Sequence, residues 1–171
     1  MPDPESAPRL REAQTDALRI PGSGMVVTTD LADNLDDIHP RDKKTVGVRL
    51  ANLALACSYQ RDDVATYGPV FRSIKIEGTQ AVLGFDHAAG LAARDGLPLS
   101  FFEIAGADGV YHRASATIRG QQIAVRSADV AAPVAARFAW DEAAQPNLVN
   151  GAGLPALPFR SQHPIVFAQP R

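Results

Sequence analysis

From residue 70 to residue 140 the chain falls into short alternating or β-branched runs broken by glycine-centred turns, and this rhythm constrains the fold more than any other feature. The runs are 70–77, 80–85, 99–105, 111–118, 122–126 and 134–140. Glu77-Gly78-Thr79, Ala107-Asp108-Gly109 and Arg119-Gly120-Gln121 have the chemistry of hairpin turns, because glycine enters the left-handed region without a Cβ clash. Ser73-Ile74-Lys75-Ile76-Glu77 and Ala114-Ser115-Ala116-Thr117-Ile118 alternate between apolar and polar, which gives each strand one dry face and one wet one. An antiparallel β-sandwich is the expected fold of this part. Beyond Trp140 proline and glycine dominate, and the tail reads as irregular.

Before residue 64 the period is different. Leu10, Ala13, Ala17 and Leu18 recur at helical spacing, so residues 8–19 read as an amphipathic helix ended by Pro21-Gly22-Ser23-Gly24. Met25-Val26-Val27-Thr28-Thr29 then reads as a strand buried in a parallel sheet, followed by a polar loop from Asp30 to Arg41. A second helix starts at Asp42, with Val46, Leu50, Leu53, Ala54 and Cys57 on one face and Val48 and Leu55 on another, which predicts burial on more than one side. Helix, strand, loop and helix make an α/β unit, and a single parallel strand needs neighbours on both edges. The chain therefore divides into an α/β portion, 1–62, whose remaining strands lie elsewhere, and a β-sandwich-like portion with its tail, 63–171.

Composition excludes several classes of function. With 171 residues, 46% hydrophobic and 21% charged, the chain can bury a globular core. Lys and Arg number 17 against 19 Asp and Glu, so no basic excess points to nucleic acid or an anionic membrane surface, and both are set aside as partners. No apolar run approaches the roughly 20 residues of a membrane span. The first nine residues show neither the basic nor the apolar region of a signal peptide. One cysteine, Cys57, makes neither an internal disulfide nor a thiolate metal cluster, and its apolar neighbours predict an inert buried thiol.

The polar loop holds the strongest chemical signal. Open α/β sheets place functional groups in loops that leave the carboxyl ends of strands. Here that loop contains Asp36 three residues before His39, a spacing that lets a carboxylate accept the imidazole Nδ1 proton and leave Nε2 as a general base. Asp42 and Pro40 equally suit the start of a helix. His87, His112 and His163 have no partner at ligand spacing, so no metal is expected. No Gly-x-Ser-x-Gly elbow, phosphate-binding glycine loop or dinucleotide fingerprint occurs, and no cofactor is implied. Arg11 and Glu12 read as solvated or locally paired helix charges, Phe138 and Trp140 as packing residues, and Arg160 as a pin between the two portions.

An ordered series of blocks resembles the sialate O-acetylesterases and related carbohydrate esterases of the SGNH hydrolase type. Leu10-Arg11-Glu12-Ala13-Gln14 is similar to the family's Arg-Glu-Ala-Gln helix, and Gly24 to Asp30 to the strand after it. Asp37-Ile38-His39-Pro40-Arg41-Asp42-Lys43-Lys44 with Val46-Gly47-Val48-Arg49-Leu50-Ala51 resembles the block of the catalytic histidine. Gly68-Pro69, Phe102 to Gly106, Arg137 to Trp140, Asn147-Leu148-Val149-Asn150 and Gly153 to Arg160 resemble the closing β part, with Tyr67 and Val149 as departures. The resemblance implies the C-terminal part of a flavodoxin-like hydrolase sheet followed by the β-sandwich. It also implies an O-acetylated sugar, sialic acid or another, as substrate, and an exported protein. His39 takes the role of base and Asp36 its support, with Asp37, Asp33 and Asp30 as other carboxylates in reach of that place. The serine nucleophile expected in a Gly-Gln-Ser-Asn block, with its oxyanion donors, has no counterpart in this sequence. The chain by itself is accordingly expected to be inactive, with a separate chain carrying the nucleophile half as partner. The alternative is a non-catalytic carbohydrate-binding or interaction module.

Overall fold

The computed structural model describes residues 5–34, 37, 39 and 41–165. Gly78, Gly109 and Gly120 sit at φ of 62°, 73° and 63°, and each turns one antiparallel strand into the next. The first sheet runs β1 (Val70–Glu77), β2 (Gln80–Asp86), β7 (Gln122–Arg126), β6 (Ser115–Arg119). The second runs β10 (Phe159–Arg160), β8 (Ala135–Phe138), β4 (Phe102–Ala105), β5 (Tyr111–Arg113). A small ladder joins β3 (Ala92–Ala93) to β9 (Leu148–Val149). Alternation delivers Leu83, Phe85, Ile123 and Val125 from one sheet against Phe102, Ile104, Phe138 and Phe159 from the other, in one buried core. Phe71 stacks on Phe159 at 4.3 Å between ring centroids, so the aromatic packing crosses the sandwich.

Three strand expectations change. The run 111–118 is two strands in different sheets: Tyr111–Arg113 pairs with β4, Ser115–Arg119 with β7, and Ala114 forms the corner. Pairing in 99–105 begins only at Phe102, because Phe101 sits at φ 62°, and that in 134–140 ends before Ala139, at φ 53°. Both residues leave the extended region that a ladder requires.

The tail corrects a further expectation, because it is among the most buried segments of the chain. Asn147 donates to Asp95 Oδ1 and the Pro98 carbonyl and accepts from the Ser100 N–H and hydroxyl. Asn150 donates to the Tyr67 and His87 carbonyls and accepts from the N–H groups of Ala152 and Leu154. Two saturated amides thus replace ladder bonds, which is how irregular backbone becomes buried at acceptable cost. Gly68 is required here: a Cβ on it would lie 1.9 Å from the Pro155 carbonyl oxygen.

The N-terminal region is built otherwise. Helix α1 (Ser6–Asp16) runs into a 3-10 turn, Ala17–Arg19, and α2 spans Lys43–Tyr59. No described strand lies between them: residues 25–29 join no β-ladder, and Thr29 already belongs to a turn, so the expected strand is absent from this structure. A β-ladder needs a second backbone, and none of the described segments offers one. The expected apolar face of α1 also points outward. Leu10 is 60% exposed, Ala13 and Ala17 are exposed, and the buried positions are Pro8, Thr15 and then Leu18. Polar tethers hold the helix instead. Glu5 pairs with Arg137, Glu12 with Arg160 and Asp16 with His163, and Arg11 donates to the carbonyls of Asp141 and Glu142. Arg11 and Glu12 are therefore long-range anchors and not solvated charges, and Arg160 is the expected pin.

Helix α2 likewise buries only Leu53 and Arg49. Val48 and Leu50 are about half exposed, and Cys57, expected to be buried, is exposed. The physical reason is common to all of these: nothing described in this chain covers the outer faces of the two helices.

Candidate functional site

The candidate loop lies between a fixed entrance and a capped exit. At the entrance, Arg49 of α2 forms a two-armed pair with Asp30, at 2.8 and 2.6 Å, and also donates to the Val27 carbonyl. Both side chains are only 9% exposed, so the pair is shielded from water and fixes the loop to the helix. Arg94 donates to the Asp30 carbonyl and Gln145 to the Ala32 carbonyl, which ties the same stretch to the β part. At the exit, Asp42 accepts from the Thr45 N–H and hydroxyl as the N-cap of α2. Those hydrogen bonds, the hydroxyl first, hold the Asp42 carboxyl below its usual range. Asp42 therefore starts the helix, as the sequence allows, and takes no part in an Asp-His pair.

His39 stands between these anchors with its Nδ1 at 3.0 Å from Asp37 Oδ1, and its own N–H donates to the same oxygen at 2.9 Å. An ionised carboxylate only accepts, so this contact selects the tautomer with the proton on Nδ1 and leaves the Nε2 lone pair outward. Asp36, the carboxylate favoured by spacing, lies outside the described residues. Asp30 is committed to Arg49, and Asp33 lies 3.5 Å from Arg41. Of the described carboxylates, Asp37 is the one on the imidazole. Spacing favours Asp36, three residues before the histidine; the contact found among the described residues is Asp37 Oδ1.

The His39 side chain is 77% exposed. An Asp-His pair in bulk water gains little from its charge, so a working site needs further walls to exclude solvent. The other histidines are placed elsewhere. His163 contacts Asp16, His112 lies 3.9 Å from Asp129, and His87 lies against Tyr67. Among the described residues, no group of three or more His, Cys, Asp or Glu side chains is placed to hold a metal ion, and no helix is long and apolar enough to cross a membrane. Phe138 and Trp140 are buried, the latter under the Arg160 guanidinium at 4.7 Å, so both pack. The Arg49–Asp30 pair is the feature that sequence reading misses. Its signal is a single arginine on the otherwise apolar side of α2.

No family model matches the chain, and no curated protein does either. A solved structure does: a carbohydrate acetylesterase from Xanthomonas citri shares 42% identity with this chain and superposes with a TM-score of 0.83. The match covers 88% of this chain and 35% of that enzyme, so the chain spans about a third of its length. This likeness fits the resemblance to the C-terminal part of the sialate O-acetylesterase-like enzymes, and it supports an esterase-like relationship.

Proposed function

We propose that the chain supplies the base-bearing portion of a carbohydrate acetylesterase, one that removes O-acetyl groups from sialic acid or other acetylated sugars. The observation that carries this reading is the Asp37–His39 contact at the head of α2, in a chain 42% identical to a carbohydrate acetylesterase. In the proposed reaction, His39 Nε2 takes the proton of a serine hydroxyl as the serine attacks the acetyl carbonyl. The protonated imidazole then returns that proton to the departing sugar oxygen. Asp37 holds the Nδ1 proton and stabilises the charge that forms on the ring. Water hydrolyses the acetyl-enzyme with the same histidine as base.

The sequence as given holds no Gly-Gln-Ser-Asn block, so in this reading the serine comes from outside these 171 residues. The N-terminal region supports such a partner. Residues 25–29 join no β-ladder, and Leu10, Val48 and Leu50 on the two flanking helices are exposed. We read 1–62 as the closing piece of a flavodoxin-like SGNH sheet, with 25–29 as a strand completed by the nucleophile half, and 63–171 as its β-sandwich. The partner would also supply the walls that His39 lacks. Two assays test this. Purified chain should release no acetate from acetylated sugars above background. A chimera in which this chain replaces the matching segment of the Xanthomonas enzyme should hydrolyse them. Turnover by the chain alone, or a folded but inert chimera, would sink the proposal.

A further inference from the structure

The backbone that leads to His39 joins no β-ladder, and such a segment keeps one position only where side chains tie its carbonyls down. Two ties come from the β part. The Arg94 guanidinium donates to the Asp30 carbonyl at 2.9 Å, and the Gln145 amide donates to the Ala32 carbonyl at 2.7 Å. Both donors extend the same end of the small β3–β9 ladder: Arg94 directly follows β3, and Gln145 precedes β9 by three residues. That end is itself well fixed. The Arg94 N–H donates to the Asn147 carbonyl at 2.9 Å, and the buried Asn147 amide is satisfied by Asp95, Pro98 and Ser100.

Asp30 is thereby held from both sides, by α2 through its carboxylate and by the β part through its carbonyl. Downstream of Ala32 a short relay reaches the imidazole. The Asp37 N–H donates to the Asn34 carbonyl at 3.3 Å, the His39 N–H donates to Asp37 Oδ1 at 2.9 Å, and the His39 ring meets the same oxygen at 3.0 Å. Arg41, 3.5 Å from Asp33, closes the loop on its far side. Packing contributes little to the place of the ring, because the His39 side chain is largely exposed. Its position depends on these ties, and Gln145 makes the one nearest the relay. The Gln145 bond is also half-buried where the Arg94 bond is exposed, so water competes less for it.

We propose that Gln145, assisted by Arg94, is a positioning residue for His39: this end of the β part holds the loop on which the imidazole stands. The inference rests on the reading of His39 as an esterase base, and it goes beyond that reading by giving the β part a share in the chemistry. A base must lie within hydrogen-bond reach of the hydroxyl it serves, and a displacement of about 1 Å costs on the order of 10²-fold in rate. Gln145 acts through the Ala32 carbonyl and touches neither the ring nor the substrate. Its effect therefore falls on kcat and not on substrate binding.

Gln145→Met keeps the length of the side chain and removes the donor, so it frees the Ala32 carbonyl without opening a cavity. Two readouts test it, one on this chain and one on the chimera with the Xanthomonas enzyme. In the chain itself, the Cε1–Hε1 signal of the His39 ring, assigned by its loss in His39→Ala, should shift or broaden in the NMR spectrum of Gln145→Met. The signals of His112 and His163 should stay in place. In the chimera, kcat per folded molecule for acetate release should fall about tenfold or more, with KM within about twofold, and Arg94→Met should lower kcat less. A purely structural role would reduce the folded fraction, read by circular dichroism, and leave kcat per folded molecule unchanged. The proposal is overturned if the His39 signal does not move, or if Gln145→Met matches the parent in a chimera that His39→Ala inactivates. Turnover that survives His39→Ala sinks the esterase reading instead, and the ring signal then decides the tether by itself.

Discussion

The sandwich and the N-terminal helices solve the same problem in opposite ways. In the sandwich every strand face finds apolar cover or solvent, the turns are glycines at positive φ, and even the irregular tail saturates its buried amides. The helical region binds through ion pairs and arginine-to-carbonyl bonds, and turns Leu10, Val48 and Leu50 outward. The difference teaches where the chain covers its own apolar faces and where the described residues leave them open.

Substitutions sharpen that contrast, beginning with the largest effects. Phe138→Ala, in the centre of the sandwich, should destabilise by about 3–5 kcal/mol in urea denaturation. Arg49→Met leaves Asp30 as an unpaired, shielded charge and should cost a similar amount, about 3–5 kcal/mol, read as loss of α2 helicity by circular dichroism. Asn147→Ala should cost about 2–3 kcal/mol, because it strands the Ser100 N–H and the Pro98 carbonyl. Leu50→Ala should change stability by less than about 0.5 kcal/mol in the chain alone. A cost near that of Phe138→Ala would break the comparison, since it would mean the outer face of α2 is already covered.

The smallest effect is a pH dependence. Asp42 has its carboxyl lowered by Thr45, so its support of α2 is complete above the ordinary carboxylate range. That support should drain as pH falls through that range and then through its depressed value. Asp42→Ala should therefore lower helicity at neutral pH and remove part of the acid-side transition.

Particular residues show why some of this was legible in the sequence and some was not. Gly78, Gly109 and Gly120 announce their hairpins because a left-handed turn between alternating runs has few other solutions. The sheet switch at Ala114 leaves no trace, since a small residue in an alternating run looks like any strand position. The tail escapes period-based reading because Asn147 and Asn150 order it through side chains. On α1, spacing identifies Leu10, Ala13 and Ala17 as a face, but not which surface it meets; Glu12 and Asp16 decide that through partners 148 and 147 residues away. His39 stands out in the sequence, while its neighbour depends on a turn that spacing alone does not choose.

The central proposal is that His39 is the base of an acetyl-transfer site whose serine comes from outside these 171 residues. His39→Ala in the chimera with the Xanthomonas acetylesterase tests it most directly, with acetate release from an acetylated sugar as the readout. The account predicts a loss of about 10³-fold or more in kcat with folding unchanged. Acetate release undiminished by His39→Ala would contradict it.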